Sequence, residues 1–379
     1  MSNRILRSLG AATALAGLLA LAPAALAKGP AAAPAASATA PMAQPTPEMR
    51  AVLDELQALG AKPLGTLPVA ETRAQPTPAD AVAAVMRKKG VVPDPTADAV
   101  RTRDITVPDA AGEVKARVYT PEGEGPFPLV VYYHGGGWVI ADIDTYDASA
   151  RALSAGAKAV VLSVEYRHGP ENKFPAAHED AFAAYEWAVE NSGTLNADAD
   201  RVAVAGESAG GNLTANVALM ARDAKIKQPV HQLLVYPIAG KDMDTPSYRQ
   251  NAEAAPLSKK AMEWFAQNAL PSMESIADQR IDLVARTDLS GLPPATVINA
   301  EIDPLRSEGE TYAANLRKAG IPVEQMTYGG VTHEFFGMGT VVPEAKAAMT
   351  MATDRLATAF AAGVPEGTMP ATPAPRPAN

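Results

Sequence analysis

The feature that most restricts the fold is a series of short, valine-rich apolar runs between residues 129 and 328. They are Leu129–Tyr133, Ala159–Val164, Val202–Ala205, Leu233–Tyr236, Ala295–Ala300 and Val323–Tyr328. Near-continuous apolar runs of this length suit strands that are buried on both faces of a sheet. Because helical segments separate the runs, the pattern predicts an α/β fold with βαβ units and a mostly parallel sheet.

Two further strands are predicted just before this series. Ile105 and Val107 alternate with polar residues, and a turn at 109–112 leads into the run 114–119. This arrangement is typical of a β-hairpin. The predicted sheet therefore has about eight strands.

Helical segments outside the alternation predict a cap over the sheet. Within residues 46–92, Thr46-Pro47 and Thr77-Pro78 each place a capping hydroxyl before a proline at the first helical position. The first helix has an apolar face, and Asp80 makes a capping box with Thr77. That face is formed by Met49, Val52, Leu53, Leu56 and Leu59. Residues 240–285 interrupt the alternation, with 258–268 as their best helix, so we predict an insertion there.

The two ends of the chain differ in composition from the predicted core at 93–362. Residues 1–27 combine two arginines, an uncharged Ala/Leu stretch and a final Ala25-Leu26-Ala27, which is typical of a cleaved signal peptide. A retained membrane anchor is the alternative, since the stretch is nearly long enough to span. Residues 28–45 and 363–379 are Pro/Ala-rich and predict a linker and a disordered tail. We therefore expect export, to the periplasm or outside the cell, with no stable membrane insertion after cleavage.

Charge and cysteine content exclude several classes of function. The 379 residues carry a formal net charge of −9 and contain no cysteine. Net acidity argues against a nucleic-acid binder, because no bulk positive charge is available to neutralise phosphates. The lack of cysteine excludes disulfides, thiolate catalysis and Cys-ligated zinc.

A candidate nucleophile lies between the third apolar run of the series and the next helix. Residues 206–210 read Gly-Glu-Ser-Ala-Gly, which fits G-x-S-x-G, and a helix is predicted over 209–221. This context places Ser208 on a tight strand-to-helix turn, where flanking glycines avoid steric collision. The helix N-terminus then directs backbone N–H groups towards the serine.

A serine nucleophile needs a base, and the base needs an acid to orient it. In hydrolases with this turn, the acid and then the histidine follow the serine along the chain. Of five histidines only His333 lies beyond the acid candidates, directly after the last apolar run and a Gly-Gly turn. Asp303, before Pro304, is the favoured acid, and Glu301 is the alternative.

A glycine run supplies candidate oxyanion donors. His134-Gly-Gly-Gly-Trp138 follows the strand 129–133 directly, and glycines there leave backbone N–H groups unobstructed. Together with the N–H of Ala209, this loop is suited to bind the oxyanion of a tetrahedral intermediate. His168 and His231 have no predicted link to the chemistry.

With these motifs the sequence resembles the hormone-sensitive-lipase-like family of α/β-hydrolases, bacterial carboxylesterases with an HGGG motif. The resemblance covers about residues 47–360. Its motifs are HGGGW at 134–138, GESAGGN at 206–212, Glu165-Tyr-Arg167, Pro170-Glu171, Phe174–Ala177, Glu179-Asp180, Gly291–Pro294 and Asp303–Arg306.

The resemblance implies an α/β-hydrolase fold with a helical cap, a Ser208–His333–Asp303 triad, and Gly136, Gly137 and Ala209 as oxyanion donors. It also implies that His134 shapes the glycine loop and that three charged residues of the scaffold are mutually paired. Those three are Glu165, Arg167 and Asp180.

This sequence departs from the family pattern at three places. Glu207 replaces the commoner Asp, and His168-Gly169 replaces the usual Leu-Ala. Glu334 follows the proposed base where Gly is usual, and a carboxylate there favours a raised pKa for His333.

We therefore expect a serine carboxylesterase that acts through an acyl-enzyme on short- to medium-chain esters. A peptidase or amidase on the same fold, or a non-catalytic ligand-binding homologue, are the alternatives. The expected partner is a small-molecule ester, with no cofactor, no metal and no nucleic acid. A homodimer is the candidate assembly.

Overall fold

One eight-stranded sheet organises the chain within residues 41–92, 95–109 and 112–362, which the computed structural model describes. The predicted signal peptide, most of the linker and the tail lie outside these residues. The strands are β1 (Arg101–Asp109), β2 (Gly112–Thr120), β3 (Phe127–Tyr133), β4 (Val160–Glu165), β5 (Ala197–Glu207), β6 (Gln232–Val235), β7 (Ala295–Ile302) and β8 (Val323–Thr332). Their spatial order is β1-β2-β4-β3-β5-β6-β7-β8.

The direction of the strands agrees with the sequence-based expectation. β2 pairs antiparallel with both β1 and β4, and all other neighbours pair in parallel. Residues such as Val131 in β3, Leu162 in β4 and Val204 in β5 are fully buried. The prediction of a mostly parallel, doubly covered sheet is thus confirmed.

Helices cover the sheet and extend beyond it. They are α1 (Pro47–Ala58), α2 (Val69–Arg73), α3 (Pro78–Lys89), α4 (Pro95–Asp98), α5 (Asp147–Ala157), α6 (Ala176–Glu190), α7 (Ala209–Ala224), α8 (Pro246–Gln250), α9 (Lys259–Ala269), α10 (Arg306–Lys318) and α11 (Pro343–Ala362). Short 3-10 helices occupy Ser192–Leu195, Met273–Ala277, Leu283–Ala285 and Phe336–Met338. In the described part of the chain, no helix has the length and apolar character needed to cross a bilayer.

The predicted helix starts are present in the N-terminal segment. Thr46 accepts a hydrogen bond from the Met49 N–H, and Thr77 forms a complete capping box with Asp80. Met49 and Val52 are buried on the apolar face of α1. Leu59 is an exception, because it caps the helix and is 39% exposed.

Two segments outside the sheet lie over the carboxyl ends of the parallel strands. Residues of α1 to α3 and of the stretch 253–265 line one cavity of about 1440 Å³, which also contains Ser208 and His333. Ligands of open α/β sheets bind at this edge. The division of the chain into a cap of 46–92 plus 240–285 and a core remains our proposal.

Candidate active site

The backbone at Ser208 forms a sharp turn between β5 and α7. Ser208 has φ 57° and ψ −116°, a left-handed conformation that costs a non-glycine residue energy. Its N–H donates to Val235 O at 2.9 Å and its carbonyl accepts from Ile238 N at 3.1 Å. A Cβ at Gly210 would lie 1.9 Å from the carbonyl oxygen of Tyr133, so only glycine allows α7 to approach β3 this closely. The local packing therefore holds the hydroxyl at the end of the strand.

Three loops bring the predicted catalytic side chains together. His333 Nε2 lies 2.9 Å from Ser208 Oγ, and His333 Nδ1 lies 2.7 Å from Asp303 Oδ2. Asp303 Oδ1 accepts a hydrogen bond from Leu305 N at 2.8 Å, which fixes the carboxylate. Because a carboxylate only accepts, Nδ1 carries the proton and Nε2 faces the serine hydroxyl as an acceptor. This is the arrangement that lets an imidazole take the proton of the serine.

The alternative acid lies elsewhere. Glu301 Oε2 accepts a hydrogen bond from the backbone N–H of Gly330 at 2.8 Å, two residues before the end of β8. Residues 329–330 lie within β8, so the predicted Gly-Gly turn before His333 is wrong, and the Glu301 carboxylate instead holds the last part of this strand. Asp303 occupies the position of the orienting acid.

The candidate oxyanion donors either line the cavity that contains Ser208 or directly follow this serine in the chain. Gly136 and Gly137 line the same cavity as Ser208 and His333, and Ala209 begins α7, so its N–H has no intrahelical partner. Gly137 has φ 60°, and a Cβ there would meet the Phe265 ring at 2.3 Å. The glycine at this position thus lets an apolar side chain of α9 close over the loop.

Two tyrosines and Glu207, whose roles the sequence did not predict, lie around the imidazole together with Glu334, whose effect it did predict. The Tyr236 ring packs on His333 with centroids 4.4 Å apart, and its hydroxyl bonds to the buried Glu207. Burial raises the pKa of Glu207 to about 7. The Tyr146 hydroxyl donates to Glu334, whose Oε1 lies 3.8 Å from His333 Nε2. Tyr236 directly follows β6 and so lies at the carboxyl edge of the sheet. This position was the only sequence signal that it could lie near the catalytic residues.

The charges around His333 set its protonation. Burial lowers the pKa of the imidazole, but the Asp303 charge and hydrogen bond, followed by Glu334, outweigh burial and raise the pKa above its ordinary value. The expected effect of Glu334 on the base is therefore present. Glu334 itself has φ 72°, in the region that favours glycine.

We expect the Glu334→Gln variant to work at lower pH than the unmodified protein. Only neutral His333 accepts the serine proton, so activity falls as the pH drops below the pKa of His333. Removing the neighbouring negative charge lowers this pKa and moves the acid limb of the kcat/KM profile to lower pH. The measurement is that profile, with Glu253→Gln as the control because Glu253 is exposed at the same cavity. An acid limb that stays in place in Glu334→Gln contradicts the assignment.

Of the other predicted charges, Arg167 pairs with Asp180, with Nη2 and Oδ1 2.5 Å apart. Glu165 accepts from the Ile143 N–H at 2.9 Å and faces His134. Arg73 of α2 donates to the carbonyl oxygens of Val139, directly after the glycine loop, and of Gly169, and no motif indicated these contacts.

Comparison with known proteins agrees with this geometry. A family model described as the alpha/beta hydrolase fold matches residues 130–337. The chain is 41% identical over 242 residues to carboxylesterase NlhH of Mycobacterium tuberculosis, covering 62% of this chain and 76% of that protein. It is 36% identical over 250 residues to an arylesterase of Saccharolobus solfataricus, covering 66% and 80%. A solved hyperthermophilic esterase from Pyrobaculum calidifontis superposes with a TM-score of 0.75 at 34% identity, covering 85% of this chain and 100% of that one.

Proposed function

The chain belongs to the hormone-sensitive-lipase-like family of α/β-hydrolases and is a carboxylesterase, and from this premise we propose how its residues divide the chemistry. The Ser208 hydroxyl oxygen attacks the ester carbonyl carbon while His333 takes the hydroxyl proton. His333 then returns the proton to the leaving alcohol, and an acyl-enzyme remains on Ser208. Water activated by His333 releases the acid and restores the serine.

The single observation that carries this assignment is the hydrogen-bonded chain from Ser208 Oγ through His333 to Asp303, with links of 2.9 and 2.7 Å. Asp303 stabilises the imidazolium that forms during attack. The N–H groups of Gly136, Gly137 and Ala209 bind the oxyanion, and one such donor is worth about 10²–10³ in rate. A non-catalytic homologue would have no need of this complete chain.

We propose short- to medium-chain acyl esters as substrates. The cavity wall near Ser208 includes the buried apolar side chains of Ile238, Leu257, Met262 and Phe265. Each methylene buried against such a wall contributes about 0.8 kcal/mol. Phe265 closes this wall on one side, over Gly137. The gain in binding free energy therefore ends once the acyl chain of the substrate is longer than the apolar wall.

Rates across p-nitrophenyl esters from acetate to decanoate test this substrate class. We expect kcat/KM to rise over the first members and then fall, with a maximum before the longest chain. As a control, matched p-nitroanilides should be cleaved far more slowly. Faster anilide than ester cleavage would favour the amidase alternative, and a rate still rising at decanoate would contradict the chain-length proposal.

We also propose that the protein is exported through residues 1–27. The support is the composition of this stretch, with its basic start and Ala-Leu-Ala end. Sequencing the N-terminus of protein recovered from the producing cells should give Lys28 as the first residue. Recovery of the intact N-terminus from the cytosol would contradict export.

A further inference from the structure

A second cluster of chemically active side chains lies beside the glycine loop. His134 follows β3, Glu165 ends β4, and His168 comes three residues later. Since β3 and β4 are parallel neighbours, their carboxyl ends meet at the same edge of the sheet. One nitrogen or oxygen from each of the three side chains lies within 4.8 Å of the other two. The triad does not use any of these groups.

The tautomer of His134 follows from its hydrogen bond. Its Nδ1 lies 2.8 Å from the carbonyl oxygen of Gly135, and a carbonyl only accepts, so Nδ1 carries the proton. Nε2 therefore presents a lone pair. The ring is fully buried and stacks on Tyr166 with centroids 4.4 Å apart, which fixes its direction.

No hydrogen-bond donor among the described residues reaches this lone pair. Among the described residues, neither His134 Nε2 nor the buried His168 Nε2 has a hydrogen-bond partner. Across from His134 Nε2, at 3.9 Å, lies Oε1 of Glu165, whose carboxylate also accepts from the Ile143 N–H. A buried polar atom without a partner costs roughly 1–3 kcal/mol. A bound cation would satisfy all three groups at once.

We propose that His134, Glu165 and His168 bind one divalent transition-metal ion of the zinc class. Two imidazole nitrogens and one carboxylate oxygen form a donor set that zinc uses in proteins, with the fourth position left to water. The site lies outside the triad and holds the first residue of the glycine loop. Its role is to anchor this loop.

Binding requires the donors to move closer together. Ligands about 2.0–2.1 Å from a tetrahedral ion lie roughly 3.4 Å from one another. His134 is locked by its packing, whereas the side chain of Glu165 is 25% exposed and His168 is partly exposed, so these two supply the movement.

The surrounding charges allow this binding. Burial lowers the pKa of both His134 and His168 to about 4, so both rings are neutral, which is the ligating form, near pH 7. Asp142 adds a negative charge near both histidines and Glu165, while Arg73 opposes a cation near His168. Arg73 is itself bonded to Glu171, which offsets its charge.

The test is metal binding to the chelator-treated, tag-free protein, with no activity measurement. Calorimetric titration with Zn²⁺ should give one equivalent bound, and Co²⁺ should give visible absorption bands of a low-coordinate site. The ion should also raise the melting temperature, since it binds the folded state. His168→Leu should weaken Zn²⁺ binding by on the order of 10–100-fold or more.

The matched control is His333→Ala, which removes the imidazole beside Asp303 and Glu334 and should leave Zn²⁺ affinity unchanged. If His168→Leu does not fold, as judged by circular dichroism, Glu165→Gln replaces it with the same expected loss. The proposal is overturned if the unmodified protein binds no Zn²⁺ or if the cluster variant binds as tightly. Loss of binding in His333→Ala alone would place the ion on the catalytic base and also overturn it.

Discussion

Replacing Ser208 with alanine should lower kcat for p-nitrophenyl esters by about 10⁶-fold, because the covalent intermediate no longer forms. The side chain is 4% exposed and alanine fills less space, so the protein should fold and keep its melting temperature within a few degrees. The measurement is steady-state hydrolysis together with labelling by a fluorophosphonate probe.

Ser290→Ala is the matched control for this variant, since Ser290 is an exposed serine outside the cavity. It should retain full activity and full labelling. Near-normal hydrolysis by Ser208→Ala, or labelling of another residue, would show that the nucleophile lies elsewhere.

Asp303→Asn should cost about 10⁴-fold in kcat with little change in KM. The amide N–H₂ that replaces a carboxylate oxygen cannot accept a hydrogen bond from His333 Nδ1. The imidazole then carries its proton on Nε2, which can no longer accept the serine proton. The buried positive charge that forms during attack also loses its counter-charge. The measurement is kcat and KM on the ester that gives the highest rate.

Glu301→Gln separates this role from a general effect of charge. Its side chain keeps an oxygen that can accept from Gly330 N, so the end of β8 before His333 should keep its position and activity should change only slightly. A larger loss in Glu301→Gln than in Asp303→Asn would reverse the assignment of the acid.

The sequence predicted the sheet and the candidate nucleophile Ser208 because both depend on local patterns. Runs such as 202–205 are apolar enough to identify a buried strand, and G-x-S-x-G at 206–210 is informative because a strand precedes it and a helix follows. Chain order then separated His333 from the other histidines. The strand ends differ by a few residues, as in β5, which extends from Ala197 to Glu207.

Contacts between distant segments were beyond the reach of these patterns. The bond from Tyr146 to Glu334 joins residues 188 positions apart, and Arg73 reaches Val139 and Gly169 from another part of the chain. No periodicity or motif records such pairs. The cluster of His134, Glu165 and His168 is of the same kind, since its members come together only when β3 and β4 pair.

The position of β8, at the edge of the sheet and last along the chain, matters while the polypeptide is still being synthesised. His333 directly follows this strand, whereas Ser208 is already present after β5. A growing chain that has made only the centre of the sheet thus holds a serine without a base. Ester hydrolysis becomes possible only when β8 pairs with β7. Enzymatic activity therefore shows that the sheet is complete.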